Sequence, residues 1–144
     1  MKRINEVMTR DIHLATPDQT LAEAAAEMAK ADIGCLPVGQ RDKLVGMITD
    51  RDITVRATAM GEDPKTTRVR DAMTRDVLCC HEDDDVREAT RLMERNQVRR
   101  LPVLNREDRL VGIVSLADLA VWTGDEQLSG EVLERVSEPA EPDR

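Results

Sequence analysis

Gly46-Met47-Ile48-Thr49-Asp50-Arg51-Asp52 is answered later in the chain by Gly112-Ile113-Val114-Ser115-Leu116-Ala117-Asp118. In both copies a glycine leads a short apolar run, a hydroxyl residue follows, and an aspartate stands three positions beyond it. The apolar run reads as a strand, and the hydroxyl followed by an acid reads as the first turn of a helix. Two readings stay open. A serine or threonine ahead of an acidic first turn is ordinary helix capping. The same group is also a place to hold an anion and a diol: hydroxyl and helix-end N–H groups suit phosphate oxygens, and Asp52 or Asp118, one turn on, suits ribose hydroxyls. Gly46 and Gly112 allow close approach of another backbone, or mark a bulge.

Outward from this stretch the whole first half is repeated. Val7-Met8-Thr9-Arg10-Asp11-Ile12 returns as Ala72-Met73-Thr74-Arg75-Asp76-Val77, and Leu36-Pro37-Val38 as Leu101-Pro102-Val103, both 65 residues later. A period of this length signals duplication of one supersecondary unit. In the first copy Ile4, Val7 and Met8 lie at helical spacing, Ile12 to Thr16 suits a short extended segment, and Thr20 with Glu23 forms a capping box for a helix from about Leu21 to about Ala31. Its expected buried stripe is Leu21, Ala24, Ala25 and Met28. Ile33–Val38 and Leu44–Thr49 read as an antiparallel hairpin, with Pro37 turning its missing N–H to an edge or bulge, and Asp50–Met60 reads as a helix stopped by Gly61. In the second copy Asp85 and Glu88 supply the capping box, and Val86, Ala89, Leu92 and Met93 the stripe. The expected organisation is repeat 1 over 1–61, a polar linker over 62–68, repeat 2 over 69–123, and an acidic, partly disordered tail over 124–144. Within that tail Asp125–Val136 could form a short helix.

The chain has 144 residues and a formal net charge of -8, which argues against a broad nucleic-acid surface. It has no Phe, no Tyr and one Trp, so aliphatic side chains must build the core, and any bound ring would rest on them. No run is long enough to cross a bilayer and no signal-like hydrophobic region follows Met1, so a soluble cytoplasmic protein is expected. Cys35, Cys79 and Cys80 form no evident disulfide framework, and their spacing is poor for zinc, so no metal site is expected and packing is the default role for the thiols. Arg87, Arg91 and Arg95 with neighbouring acids read as a solvated, salt-bridged helix face. No motif groups a nucleophile, a base and an orienting group, so no catalytic residues are assigned.

The duplicated order of short strand, capped helix, Leu-Pro-Val strand, Gly-x-x-Ser/Thr-x-x-Asp strand and helix resembles the CBS-domain family over nearly all of residues 1–123. Gly-Met-Ile-Thr-Asp-Arg-Asp, Gln-Val-Arg-Arg-Leu-Pro-Val and Gly-Ile-Val-Ser-Leu-Ala-Asp-Leu carry that resemblance. Arg56-Ala57-x-Ala59-x-Gly61-x-Asp63-Pro64 is similar to short stand-alone two-CBS proteins of bacteria, among them the hypoxic response proteins of actinobacteria. The resemblance implies an α+β fold of two tandem β-α-β-β-α repeats about a pseudo-two-fold axis, a regulatory homodimer and no required cofactor. It also implies clefts that take AMP, ATP, NAD(H) or S-adenosylmethionine. Carried over residue by residue, one ligand set is Thr49 and Asp52 with His81, Val86, Val98, Arg99, Arg100 and Pro102. The other is Ser115 and Asp118 with Thr16, Leu21, Ile33, Gly34, Cys35 and Pro37.

The two sets differ in charge. Arg99 and Arg100 precede one Leu-Pro-Val where Gly34 and Cys35 precede the other, so the first set suits a phosphate chain and the second a nucleoside or monophosphate. Ion pairing of the arginines with the acidic run Glu82 to Asp85 is the competing account. An interaction protein with vestigial or redox-modulated clefts is the alternative function.

Overall fold

The computed structural model describes residues 2–123, so the expected C-terminal helix and acidic tail lie outside the described residues. The fold is α+β, with a two-stranded and a three-stranded sheet. After a 3₁₀ turn at Ile4–Glu6 come α1 (Leu21–Ala31), β1 (Cys35–Gln40), β2 (Lys43–Thr49), α2 (Asp50–Arg56), a 3₁₀ turn at Thr58–Met60 and α3 (Val69–Ala72). Then follow β3 (Cys80–His81), α4 (Val86–Asn96), β4 (Arg100–Leu104), β5 (Leu110–Ser115) and α5 (Leu116–Thr123).

Two compact units emerge, and they do not coincide with the sequence repeats. One gathers Ile12–Val77 with Asp108–Leu110; the other gathers residues up to Asp11 with Leu78–Glu107 and the chain from Val111. Each unit therefore contains the first segment of the opposite repeat. In the Ile12–Val77 unit, Met47 and Thr74 exchange both backbone hydrogen bonds, at 2.9 and 2.8 Å. In the other, Thr9 and Ile113 do the same at 2.8 and 3.0 Å. A Cβ on Gly46 would stand 2.7 Å from the Thr74 carbonyl oxygen and 2.9 Å from Met73 Sδ. On Gly112 it would meet Met8 Sδ and the Thr9 carbonyl oxygen, both at 2.8 Å. The repeated glycines and the repeated Met-Thr pairs are thus one device, in which a glycine lets the chain's own backbone cross a strand.

The exchange is apolar as well as hydrogen-bonded. Ile4 and Val7 are buried in one core beside Met93, Leu101, Val103 and Val114, while Val69, Ala72 and Met73 are buried in the other beside Leu21, Leu36 and Ile48. Burial of a side chain such as Ile4 contributes about 1.5–3 kcal/mol. Neither repeat would complete its core with its own first segment, which is why the boundaries expected at residues 61 and 69 do not delimit the packed units.

Local structure follows the sequence closely in places. Helix α1 runs from Leu21 to Ala31, with the Thr20 hydroxyl accepting from Glu23 N–H at 3.2 Å and the Glu23 carboxylate taking Thr20 N–H. Both long helices end in a left-handed residue, Asp32 and Gln97, after which Ile33 and Val98 N–H bond back to the carbonyls of Met28 and Met93. That is a Schellman closure, with an apolar residue just past the turn. The first hairpin closes through Arg41 and Asp42, both at positive φ, as a two-residue turn matched to strand twist requires. The Pro37 carbonyl accepts from Ala15 N–H, so the missing N–H faces a side on which a single residue pairs, as expected.

Other expectations need correction. Ala25 is exposed, and the second stripe is Val86, Ala89, Thr90 and Met93, with Leu92 only half-buried. Thr90 enters because its hydroxyl donates to the Val86 carbonyl at 2.8 Å, satisfying itself inside the helix. The Asp85 carboxylate caps α4 by accepting from Arg87 N–H, without the reciprocal glutamate of a capping box. The expected Asp50–Met60 helix is instead two pieces, α2 ending at Arg56 and the 3₁₀ turn at Thr58–Met60, with the buried Ala57 at the break between them.

Candidate functional site

In the Ile12–Val77 unit, β2 delivers Thr49 as the N-cap of α2. Its hydroxyl accepts from Asp52 N–H at 3.0 Å, and Asp52 Oδ2 accepts from Thr49 N–H at 3.0 Å. Cys35 stands opposite Thr49 in the β1–β2 register, and Asp50 N–H donates to the Gly34 carbonyl at 2.9 Å. Arg51 N–H is taken by Asp50 Oδ1 at 2.8 Å. The first-turn N–H groups of residues 50, 51 and 52 are therefore already occupied, which corrects the expectation that this helix end offers open N–H groups to a phosphate. The Asp50 carboxylate, against which a Cβ on Gly34 would stand at 3.0 Å, adds negative charge there.

What the motif does offer is a fixed carboxylate. With Oδ2 in the cap, Asp52 Oδ1 lies 3.8 Å from Arg56 Nη1, and the Asp52 side chain is 13% exposed. Arg56 Nη1 also donates to the carbonyls of Ala72 and Met73, at 3.0 and 3.1 Å, and lies 3.3 Å from Thr74 Oγ1. Sequence reasoning missed Arg56, although a cation four residues after Asp52 on a helix is a readable signal.

The other unit repeats the motif. Ser115 N–H donates to Asp118 Oδ2 at 2.9 Å, and Asp118 N–H to the Ser115 hydroxyl at 3.1 Å. Leu116 N–H donates to the Arg99 carbonyl at 2.9 Å, which ties the start of α5 to the residue just before β4. Arg99 and Arg100 are exposed and Pro102 is buried. Most of the acidic run is engaged elsewhere. Asp83 takes Arg106 Nε at 3.1 Å, which holds its carboxyl below the usual range. Asp84 Oδ2 accepts from His81 N–H at 2.9 Å, and Asp85 caps α4.

The structure thus gathers Thr16, Ile33, Gly34, Cys35, Pro37, Thr49 and Asp52 in one unit, and Arg99, Arg100, Pro102, Ser115 and Asp118 in the other. Each ligand set implied by the family resemblance draws on both units. Thr16 is exposed and its N–H donates to Gln19 Oε1 at 2.9 Å, whereas Leu21, Pro37 and Val86 are buried. Ile33 is packed against the core at the Schellman turn. Cys80 is buried too, its thiol pushed up to about 12 chiefly by burial and further by Asp84 and Cys79, which makes it an inert packing residue. Among the described residues no cluster of three or more His, Cys, Asp or Glu is placed to hold a metal, and no helix is long and apolar enough to cross a membrane.

Comparison with known proteins gives concordant findings. A family model of the CBS domain matches residues 4–57 and 69–123. The CBS domain-containing protein YhcV of Bacillus subtilis is 36% identical over 137 residues, covering 95% of this chain and 96% of that one. Hypoxic response protein 1 of Mycobacterium tuberculosis is 38% identical over 121 residues, covering 83% and 84%. Among solved structures, Hypoxic Response Protein I with two coordinated zinc ions superposes with a TM-score of 0.76 at 36% identity, covering 83% of this chain and 98% of that one. The CBS domain pair of protein MJ0100, in complex with 5-methylthioadenosine and S-adenosyl-L-methionine, superposes with a TM-score of 0.72 at 30% identity, covering 86% and 97%.

Proposed function

The chain belongs to the CBS-domain family, and from that premise we propose that it is a regulatory, non-catalytic module that binds adenosine-containing nucleotides through its two hydroxyl-x-x-Asp motifs. The observation that carries this reading is the division of labour within each aspartate. One carboxylate oxygen closes the cap, at 3.0 Å for Asp52 and 2.9 Å for Asp118, and so fixes the direction of the other as a ribose acceptor. Capping and binding are then one arrangement, since an acceptor already held in place gives up little freedom on binding. The adenosine ligands of the MJ0100 pair support the ligand class.

Because the N–H groups at the start of α2 are occupied, charge for a phosphate chain has to come from side chains. Arg99 and Arg100 are the candidates, working with Thr49 and Asp52, and that set takes the more anionic nucleotide. Ser115 and Asp118, working with Thr16, Gly34 and Cys35, take a nucleoside or monophosphate. Binding biases the conformational population of a homodimeric cytoplasmic regulator whose output is another protein.

Titration calorimetry with AMP, ATP, NADH and S-adenosylmethionine tests this. The expected result is two classes of site: Asp52→Ala and Arg100→Ala both weaken ATP at least tenfold, and Asp118→Ala removes the other class. Absence of heat with all four at millimolar concentration overturns the reading. The occupied first-turn N–H groups favour a second reading, an interaction protein whose capping boxes are purely structural. Under it Asp52→Ala changes stability and nothing else.

A further inference from the structure

Beyond the two motifs, the unit containing residues 78–107 has an open cavity of about 290 Å³ between β3 and α4. It is lined by Cys79 and Cys80, the acids Asp84 and Glu88, and the arginines Arg91 and Arg95. Ala89 and Leu92 provide apolar surface. Glu88, Arg91 and Arg95 recur along one side of α4, yet none of them is in an ion pair among the described residues, contrary to the expected salt-bridged face. Like charges at Arg91 and Arg95, four residues apart on a helix, disfavour each other unless an anion stands between them. The cavity therefore presents two donors for carboxylates, two carboxylates for an ammonium, and sulfur beside them.

We propose that this cavity is a modification site at which Cys79 undergoes thiol–disulfide exchange with a small disulfide built of amino acids, such as cystine or glutathione disulfide. The Cys79 sulfur, as thiolate, attacks one sulfur of the ligand. The ligand's S–S bond breaks as the Cys79–S–S–ligand bond forms, and the departing ligand thiolate takes up the proton that Cys79 lost. Cys79 is oxidised, one ligand sulfur is reduced, and the disulfide itself is the oxidant. Arg91 and Arg95 hold ligand carboxylates, Asp84 and Glu88 hold its ammonium, and half-buried Cys79 is the reacting thiol where Cys80, 3% exposed, is not. The modification is reversible by any reducing thiol and places ionised groups beside α4 independently of nucleotide.

The test uses the reduced full-length protein with cystine, glutathione disulfide or the uncharged bis(2-hydroxyethyl) disulfide, followed by intact mass and peptide mapping. One adduct on Cys79 is expected, formed at least fivefold faster with the charged disulfides than with the neutral one. That preference disappears in Arg91→Ala/Arg95→Ala and the adduct in Cys79→Ser. Alkylation by neutral iodoacetamide, unchanged in the arginine variant, shows that exposure of the thiol is intact. No adduct, a first adduct on Cys35, or equal rates with charged and neutral disulfides overturns the proposal, and cystine against glutathione disulfide separates the two sources.

Discussion

At Gly46 an added Cβ would lie 2.7 Å from a backbone oxygen, which cannot step aside as a flexible side chain could. Gly46→Ala is expected to lose about 1–3 kcal/mol by overpacking. Gly39→Ala, whose Cβ would meet its nearest atoms at 3.7 and 3.8 Å, is expected to stay within about 0.5 kcal/mol of the parent. Urea unfolding of the pair separates close approach from general strand sensitivity. Cys80 makes a second prediction at this scale. Its thiol stays neutral in the folded protein to about pH 12, while in the unfolded chain it ionises at the ordinary 9.0. Folding stability from this group is therefore whole below pH 9 and is lost as pH rises from 9 towards 12. At pH 10 the loss is about 1.4 kcal/mol. Unfolding free energies at pH 8 and pH 10 should diverge by that much more in the parent than in Cys80→Val.

Elements that look equivalent in sequence are held by different forces. Helix α5 buries Leu116 and Leu119, whereas α2 fully buries none of its seven residues, packs a half-buried Ile53 against the core, and leans more on the Thr49–Asp52 cap and on Arg56. Thr49→Ala should cost about 1 kcal/mol and raise hydrogen exchange across residues 50–56. Ser115→Ala should cost a similar cap energy while α5 keeps its protection, because packing retains it. Much at this scale was legible beforehand. The Thr20 and Glu23 pair set the start of α1, Leu-Pro-Val read as a strand, and Thr49-x-x-Asp52 marked a helix start. The break at Ala57 and the entry of Thr90 into the core were not legible, since each follows from tertiary fit, which outweighs periodicity. The helix-start reading also left the N–H groups open, because which carbonyl meets Asp50 N–H depends on Gly34, sixteen positions away.

For the whole molecule the governing fact is that each packed unit contains the opposite repeat's first segment. Local spacing cannot reveal this. The signal that could have is the joint recurrence of Met-Thr and of a strand glycine with no turn to make. Deleting residues 2–11 removes Ile4 and Val7 from one core and takes no residue from the other. Hydrogen exchange of that variant should lose protection in residues 78–119 and keep it in residues 12–74. An isolated 69–123 fragment should gain structure when a peptide of residues 1–11 is added.

The same crossing sets an order of events during synthesis. The backbone partner of Thr9, Ile113, is made roughly a hundred residues after it, a wait of about 5–20 s at ordinary elongation rates. Met47 has its partner Thr74 within a few seconds of its own synthesis. One unit therefore has nearly all its residues before most of the other has been made, and the other can close only once Ile113 has been added, by recapturing a segment made about a hundred residues earlier.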